Sequence, residues 1–130
     1  PAGLELLYAR SAMVATAAAY GLHAVDAVYL QLDDLDGLAE ECLAVRRLGF
    51  AGKTAVHPRQ LPVINRTFTP APAEVERAQR LVDAFAAHQQ DGVGVFVFEG
   101  KAVDRPVLLA AQRLLARAAR SAEKSEPASQ

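Results

Sequence analysis

The sequence has no tryptophan, one cysteine, one methionine and no excess of either charge, and these shortages remove several classes of explanation. A single cysteine, Cys42, forms no internal disulfide framework and no cysteine-based zinc site. Its place among helical apolar positions suits a small buried hydrophobe, which fits a reducing, cytoplasmic setting. A formal net charge of -1 over 130 residues gives no general attraction to nucleic acid. The basic residues Arg113, Arg117 and Arg120 recur at helical spacing opposite the leucines, as on a solvated face. No stretch reaches the roughly 18 uncharged apolar residues of a membrane span, and no basic segment followed by an apolar one opens the chain. Neither a nucleic acid nor a membrane is therefore expected as a partner. The opening "PAGLELLYAR" lacks an initiator methionine and runs almost at once into a helical pattern, so a missing upstream part is expected.

What is present reads as an α/β chain. Leu4 to Tyr20 is an alanine-rich helical stretch closed by Gly21, a residue suited to a left-handed C-cap. "HAVDAVYLQL" (23–32) reads as a strand, bounded by that glycine and by the acidic run Asp33, Asp34, Asp36. Leu35, Leu38, Cys42, Val45 and Leu48 recur at steps of three and four, which predicts an amphipathic helix ended by Gly49. "GKTAVH" (52–57) is a second short strand, and "HPRQLPVINRTF" a turn leading into one or two helical turns broken by Pro62. "TPAPAEVERAQRLVDAFAAH" is a helix with Val75, Ala78, Val82 and Phe85 on one face. "GVGVFVFEGKAV" alternates about Glu99-Gly100 as a β-hairpin, and a last helix from near Pro106 should bury Val107, Leu108, Ala111, Leu114, Leu115 and Ala118. Residues 121–130 are polar and expected as a disordered tail. The first half thus holds βα units of a parallel sheet and the second a helix, hairpin and helix. Two βα units cannot close a barrel, which needs eight strands and about 250 residues.

Four features invite a chemical reading, each beside a plainer one. "GKT" at Gly52 to Thr54 resembles the end of a phosphate-binding loop, but that motif needs a glycine where Arg47 stands, a strand before it and a helix after. His57, followed by Pro58, lies at the C-terminal end of a strand, where α/β folds build their sites; it is either catalytic or a hydrogen-bonding structural histidine. Asp33, Asp34 and Asp36 lie at the other strand's end and could reach a metal, or could complement a helix dipole. Asp104, two residues before Pro106, is by local physics a helix N-cap.

Four markers in order carry a family resemblance: Asp26 with "D-x-x-G-L" (Asp34 to Leu38), "LGFAGKTAVHP-x-Q" (Leu48 to Gln60), the stretch Val63 to Pro70, and "G-K-x-x-D-x-P" (Gly100 to Pro106). The chain resembles the C-terminal part of citrate lyase beta-subunit-like proteins of the HpcH/HpaI aldolase superfamily, relatives of malyl-CoA and citramalyl-CoA lyases. The resemblance implies the last part of a TIM (β/α)8 barrel, about strands 6 and 7 with flanking helices, over residues 1–69. A lid of helix, hairpin and helix follows over 70–120. It further implies a Mg2+ ion, a coenzyme A thioester as substrate, reversible carbon-carbon cleavage, and a homotrimer or homohexamer. Asp104 matches the family's lid aspartate, catalytic and serving a neighbouring subunit, while Asp33, Asp34, His57 and Pro58 fall on the rim facing substrate and coenzyme A. The family's metal ligands and substrate arginine precede the matched region, so the chain alone is expected to be inactive. Malyl-CoA synthase or thioesterase activity, or a non-catalytic oligomerisation fragment, are the alternatives.

Overall fold

A computed structural model describes residues 4–88 and 96–125. The chain divides into two compact units, Pro1–Phe68 and Thr69–Gln130.

In the first unit a 3-10 turn (Leu4–Leu6) leads into α1 (Leu7–Ala19), whose alanine-rich length has no polar stripe and buries no residue. α2 (Leu35–Leu48) follows its predicted period: Leu38, Cys42 and Val45 are buried, joined in the core by Phe50, Val63, Ile64 and Phe68. The helix stops at Gly49, whose φ of 109° only glycine adopts readily. There the Phe50 amide donates to the Val45 carbonyl and the Gly49 amide to Arg46, which satisfies the last carbonyls.

β1 (Val25–Asp26) and β2 (Gly52–Lys53) pair in parallel, Val25 opposite Gly52 and Asp26 opposite Lys53. Ala51 donates to the Ala24 carbonyl and Thr54 to that of Asp26, extending the ladder by one rung at each end. Both strands are therefore much shorter than expected, and residues 27–32 and 54–57 are not strand. A strand lasts only as long as its ladder, and past Asp26 and Thr54 the two segments are joined by a side chain rather than by peptide groups. Pro62 does not break the next helix. After a 3-10 turn (Pro58–Gln60), α3 (Leu61–Phe68) is continuous, because Pro62 sits in its first turn, where an amide has no intrahelical acceptor to lose.

In the second unit α4 (Pro72–His88) buries Ala78, Leu81 and Phe85. Leu81 takes the place expected for Val82, and Val75 and Val82 are half-buried at the border of that face. β3 (Phe96–Phe98) and β4 (Lys101–Val103) form an antiparallel hairpin with Phe96 opposite Val103. Its turn, Glu99-Gly100, has φ of 49° and 76°, both positive as a type I′ turn requires; residues 92–95 of the expected hairpin lie outside the described residues. Leu81, Phe85, Phe96 and Val103 make this unit's core, with Phe85 and Phe96 edge to face at 5.6 Å. α5 (Arg105–Ser125) packs on α4. Its predicted stripe is less buried than expected: Leu108 and Ala111 reach the core cluster, Leu114, Leu115 and Ala118 are half-buried, and Val107 is exposed. Within this unit one neighbouring helix and a short hairpin cover only part of a helix this long. The helix runs on to Ser125, into the stretch expected as a tail, extending the register that starts at Asp104.

Candidate functional site

The C-terminal ends of β1 and β2 lie side by side, and the loops that leave them are tied together. The first loop carries Tyr29, Asp33 and Asp34; the second carries His57, Pro58, Arg59 and Gln60. Asp34 is the N-cap of α2: its Oδ1 accepts from the Gly37 amide at 2.8 Å, and its Oδ2 accepts from the Tyr29 hydroxyl at 2.6 Å. A Cβ at Gly37 would collide with the Asp34 carboxylate and the Tyr29 hydroxyl, so a larger residue there would displace this pair. The shared proton is held firmly by Tyr29. The hydrogen bond to Asp34 pushes the phenol up to about 12, and the same bond, with the Gly37 amide, draws the Asp34 carboxyl below its ordinary value.

Asp33 pairs with Arg59 at 2.8 Å across the two loops, although Asp33 is 95% exposed, so the pair orients more than it stabilises. The His57 Nδ1 accepts from the Arg59 amide at 3.2 Å and caps the 3-10 turn that Pro58 begins. A nitrogen that accepts is unprotonated, so the cap fixes the tautomer with hydrogen on Nε2. Gln60 is fully buried and bridges the loops: its Nε2 donates to the Tyr29 carbonyl at 2.8 Å and its Oε1 accepts from the Val56 amide at 3.0 Å.

Below this rim lies a cluster of two cations and two carboxylates. The Lys53 Nζ, wholly enclosed, donates to Asp26 at 2.7 Å and to Glu41 at 2.8 Å. Arg10 reaches the same two carboxylates, at 3.1 Å to Asp26 and 3.0 Å to Glu41. Lys53 is the lysine of "GKT", and its charge is spent on Asp26, in a strand that follows a helix, so no phosphate loop is formed here. Burial pushes the neighbouring Cys42 thiol up, which leaves it an inert apolar group.

The structure thus gathers Asp33, Asp34, His57 and Pro58 at one rim. It places Asp104 in the second unit, exposed, with Oδ1 accepting from the Val107 amide at 3.2 Å and its carbonyl from Leu108. Tyr29 and Arg59 were not singled out by sequence, Gln60 was marked only as the last letter of a family marker without a role, and the cluster of Arg10, Glu41 and Lys53 around the motif residue Asp26 was not foreseen. A usable signal for the cluster existed: opposite charges at Asp26 and Lys53 inside two otherwise apolar strand patterns need each other. Gln60 carries no periodic signal.

Among the described residues no group of three or more His, Cys, Asp or Glu could hold a metal ion. The chemistry of the carboxylates agrees: Asp26 and Glu41 are neutralised by Lys53 and Arg10, both Asp34 oxygens are occupied, and Asp33 is tied to Arg59. These residues do not fit a Mg2+ site. No helix among the described residues is long and apolar enough to cross a membrane.

The HpcH/HpaI aldolase/citrate lyase family matches residues 1–58. The chain is 42% identical over 120 residues to the mitochondrial citramalyl-CoA lyase of Rattus norvegicus, covering 92% of this chain and 36% of that protein. It is 44% identical over 116 residues to the (3S)-malyl-CoA thioesterase of Cereibacter sphaeroides, covering 89% of this chain and 38% of the relative. Among solved structures, it resembles the protein CitE from Mycobacterium tuberculosis in complex with magnesium, acetoacetate and coenzyme A. The TM-score is 0.69 at 37% identity, over 86% of this chain and 40% of that one. The chain therefore spans between 36% and 40% of the length of these relatives.

Proposed function

We propose, from the family match over residues 1–58 and the 42% identity to a citramalyl-CoA lyase, that this chain is of the HpcH/HpaI aldolase/citrate lyase family and forms part of a carbon-carbon lyase acting on coenzyme A esters of small hydroxy acids. The observation that carries this reading is the 42% identity to a citramalyl-CoA lyase across 92% of the chain, through both units.

In this reading the first unit supplies two successive strands, about the sixth and seventh, of a TIM barrel. Its rim residues Asp33, Asp34, His57 and Pro58 face the acyl-CoA. Parallel strands ending together at a polar rim are where such folds place ligands, and the Asp33–Arg59 and Gln60 ties hold the rim loops in register. The second unit is the lid, and Asp104 is its acid/base residue, acting on substrate in a neighbouring subunit of a homotrimer or homohexamer. Capping uses only Oδ1 of Asp104, so Oδ2 can accept or deliver a proton while the helix start holds the carboxylate in place. Mg2+ bound in the complete family site would supply Lewis-acid stabilisation of charge on the cleaved acid. Its ligands and the substrate arginine lie on family residues outside this chain, so the 130 residues alone are inactive.

The test is Asp104→Asn in the assembled enzyme. Asparagine caps as well as aspartate, so melting should not change, while loss of a positioned acid/base group lowers kcat on the order of 10²–10⁴-fold. Unchanged kcat reduces Asp104 to a cap. The 44% identity to a malyl-CoA thioesterase favours a second reading, hydrolysis of the thioester. The products separate the two: a lyase leaves the thioester intact on the shortened acyl-CoA, whereas a thioesterase releases the free thiol of coenzyme A.

A further inference from the structure

We propose that Glu99 is a positioning residue for Asp104, held by a two-arginine clamp from α4 that aims the hairpin leading to it; this rests on the reading of Asp104 as the acid/base group.

Glu99 occupies an unusual place. It is the first residue of the hairpin turn with φ of 49°, the sole non-glycine residue in the left-handed region among those described. A type I′ turn selects asparagine, aspartate or glycine there, and a long side chain is disfavoured. Turn stability alone does not account for glutamate. Its reach does: Oε2 accepts from Arg77 Nε at 2.7 Å and Oε1 from Arg80 at 3.0 Å, so both oxygens are engaged by arginines one turn apart on α4. The Arg77 guanidinium also lies 5.9 Å over the Phe98 ring, the residue before the turn. Asparagine or aspartate, shorter by one methylene, would not span that gap. The two arginines hold the Glu99 carboxyl below its ordinary value, so the clamp persists into mild acid.

The clamp is mechanically connected to Asp104. β4 runs from the turn through Lys101 and Ala102 to Val103, anchored in the core at 2% exposure, and the next residue is Asp104. Three points thus define where the carboxylate sits: the clamped turn, the buried Val103 and the cap on Val107. Arg77, Arg80 and Glu99 are each at least 40% exposed, and exposed ion pairs add little net stability. Orientation is the larger effect, and misplacing a catalytic group by about 1 Å costs on the order of 10²-fold.

Glu99→Asn keeps a residue that tolerates positive φ but cannot reach the arginines. In the assembled enzyme it should leave melting unchanged and lower kcat about tenfold, with KM within about twofold. Placed on top of Asp104→Asn, the same change should cost less than about twofold more, because there is no longer an acid/base group to aim. Full kcat in Glu99→Asn together with a low kcat in Asp104→Asn overturns the clamp and leaves the reading of Asp104 standing. Losses that multiply in the double variant overturn it too, as a general structural effect would. If Asp104→Asn itself keeps full kcat, the reading of Asp104 fails and the clamp has nothing to position. Amide exchange at Val107 gives a readout without turnover. In the 130-residue chain it should quicken in Glu99→Asn as the Asp104 cap loosens, and an unchanged rate counts against the proposal.

Discussion

Replacing Lys53 by methionine probes the charge cluster beneath the rim, and the size of the effect follows from its wiring. The Lys53 ammonium is wholly enclosed and serves two carboxylates, at 2.7 and 2.8 Å. Without it, Asp26, itself 4% exposed, and Glu41 must share the single guanidinium of Arg10. Breaking a buried pair costs about 3–5 kcal/mol, because the surviving charge stays desolvated. Arg10 already contacts both carboxylates, which places the expected loss near the lower end, about 3 kcal/mol. Against a typical domain stability of about 5–15 kcal/mol, that is a large fraction. The three tyrosines, Tyr8, Tyr20 and Tyr29, all lie in the first unit and the chain has no tryptophan, so tyrosine emission during urea unfolding reports on that unit. With a slope of about 1–3 kcal/mol per molar urea, the midpoint should fall by about 1 M or more. Adding Asp26→Leu leaves Arg10 and Glu41 as a self-contained pair at 3.0 Å and should restore most of the loss, since replacing both members of a buried pair is often neutral. A single variant that loses less than about 1 kcal/mol, the range of an exposed pair, refutes the reasoning. So does a double variant less stable than the single.

Two further outcomes follow from the rim. The Tyr29 phenol is raised from 10.0 to about 12 and the Asp34 carboxyl lies below 3.8; the stabilisation linked to Tyr29 is therefore complete below pH 10 and lost as pH rises towards 12, whereas that linked to Asp34 is present above pH 3.8 and lost on further acidification. Phenolate absorbance should show a component appearing near pH 12 that is missing from Tyr29→Phe; a titration identical in the two proteins contradicts the hydrogen bond. Gln60→Leu removes the partners of the Tyr29 carbonyl and the Val56 amide, at a cost of about 1–3 kcal/mol for a stranded polar group. Chemical denaturation measures that cost, and loss of amide-exchange protection at Val56 localises it.

Helices were legible wherever a caps-and-period argument applied to one segment alone. α2 is the clearest case, with Asp34 at its start, Leu38, Cys42 and Val45 within it and Gly49 at its end. The hairpin turn was legible for the same reason, because Glu99-Gly100 breaks an alternation. Strand length was not, since residues 27–32 have strand composition but, among the described residues, β1 pairs only with β2, over a few residues. α5 shows the same limit in a helix: its apolar spacing marks a stripe, while how deeply Leu114 and Leu115 are buried depends on what lies opposite. At the rim, Asp33, Asp34, His57 and Pro58 were visible because strand ends are privileged positions. Gln60 stood in a family marker, but its bridging role was not legible, because a glutamine's value depends on which main-chain atoms its two ends meet, and these sit 31 and 4 residues away. The capping role of Asp104 follows from its neighbours Pro106 and Val107; the chemical role proposed for it comes from family resemblance.

Both contacts of Gln60 are to main-chain atoms, the carbonyl of residue 29 and the amide of residue 56. The side chains at those two positions are therefore uncoupled from the separation of the loops. A primary amide takes the place of the peptide rung that the diverging strands cannot form, and it does so whatever the loops display. Substitution at 29 or 56 can alter the surface of the rim proposed to face the acyl-CoA while the spacing between the loops stays set. A change at Gln60 thus disturbs the spacing of the loops, whereas the side chains at 29 and 56 can vary without removing the bridge.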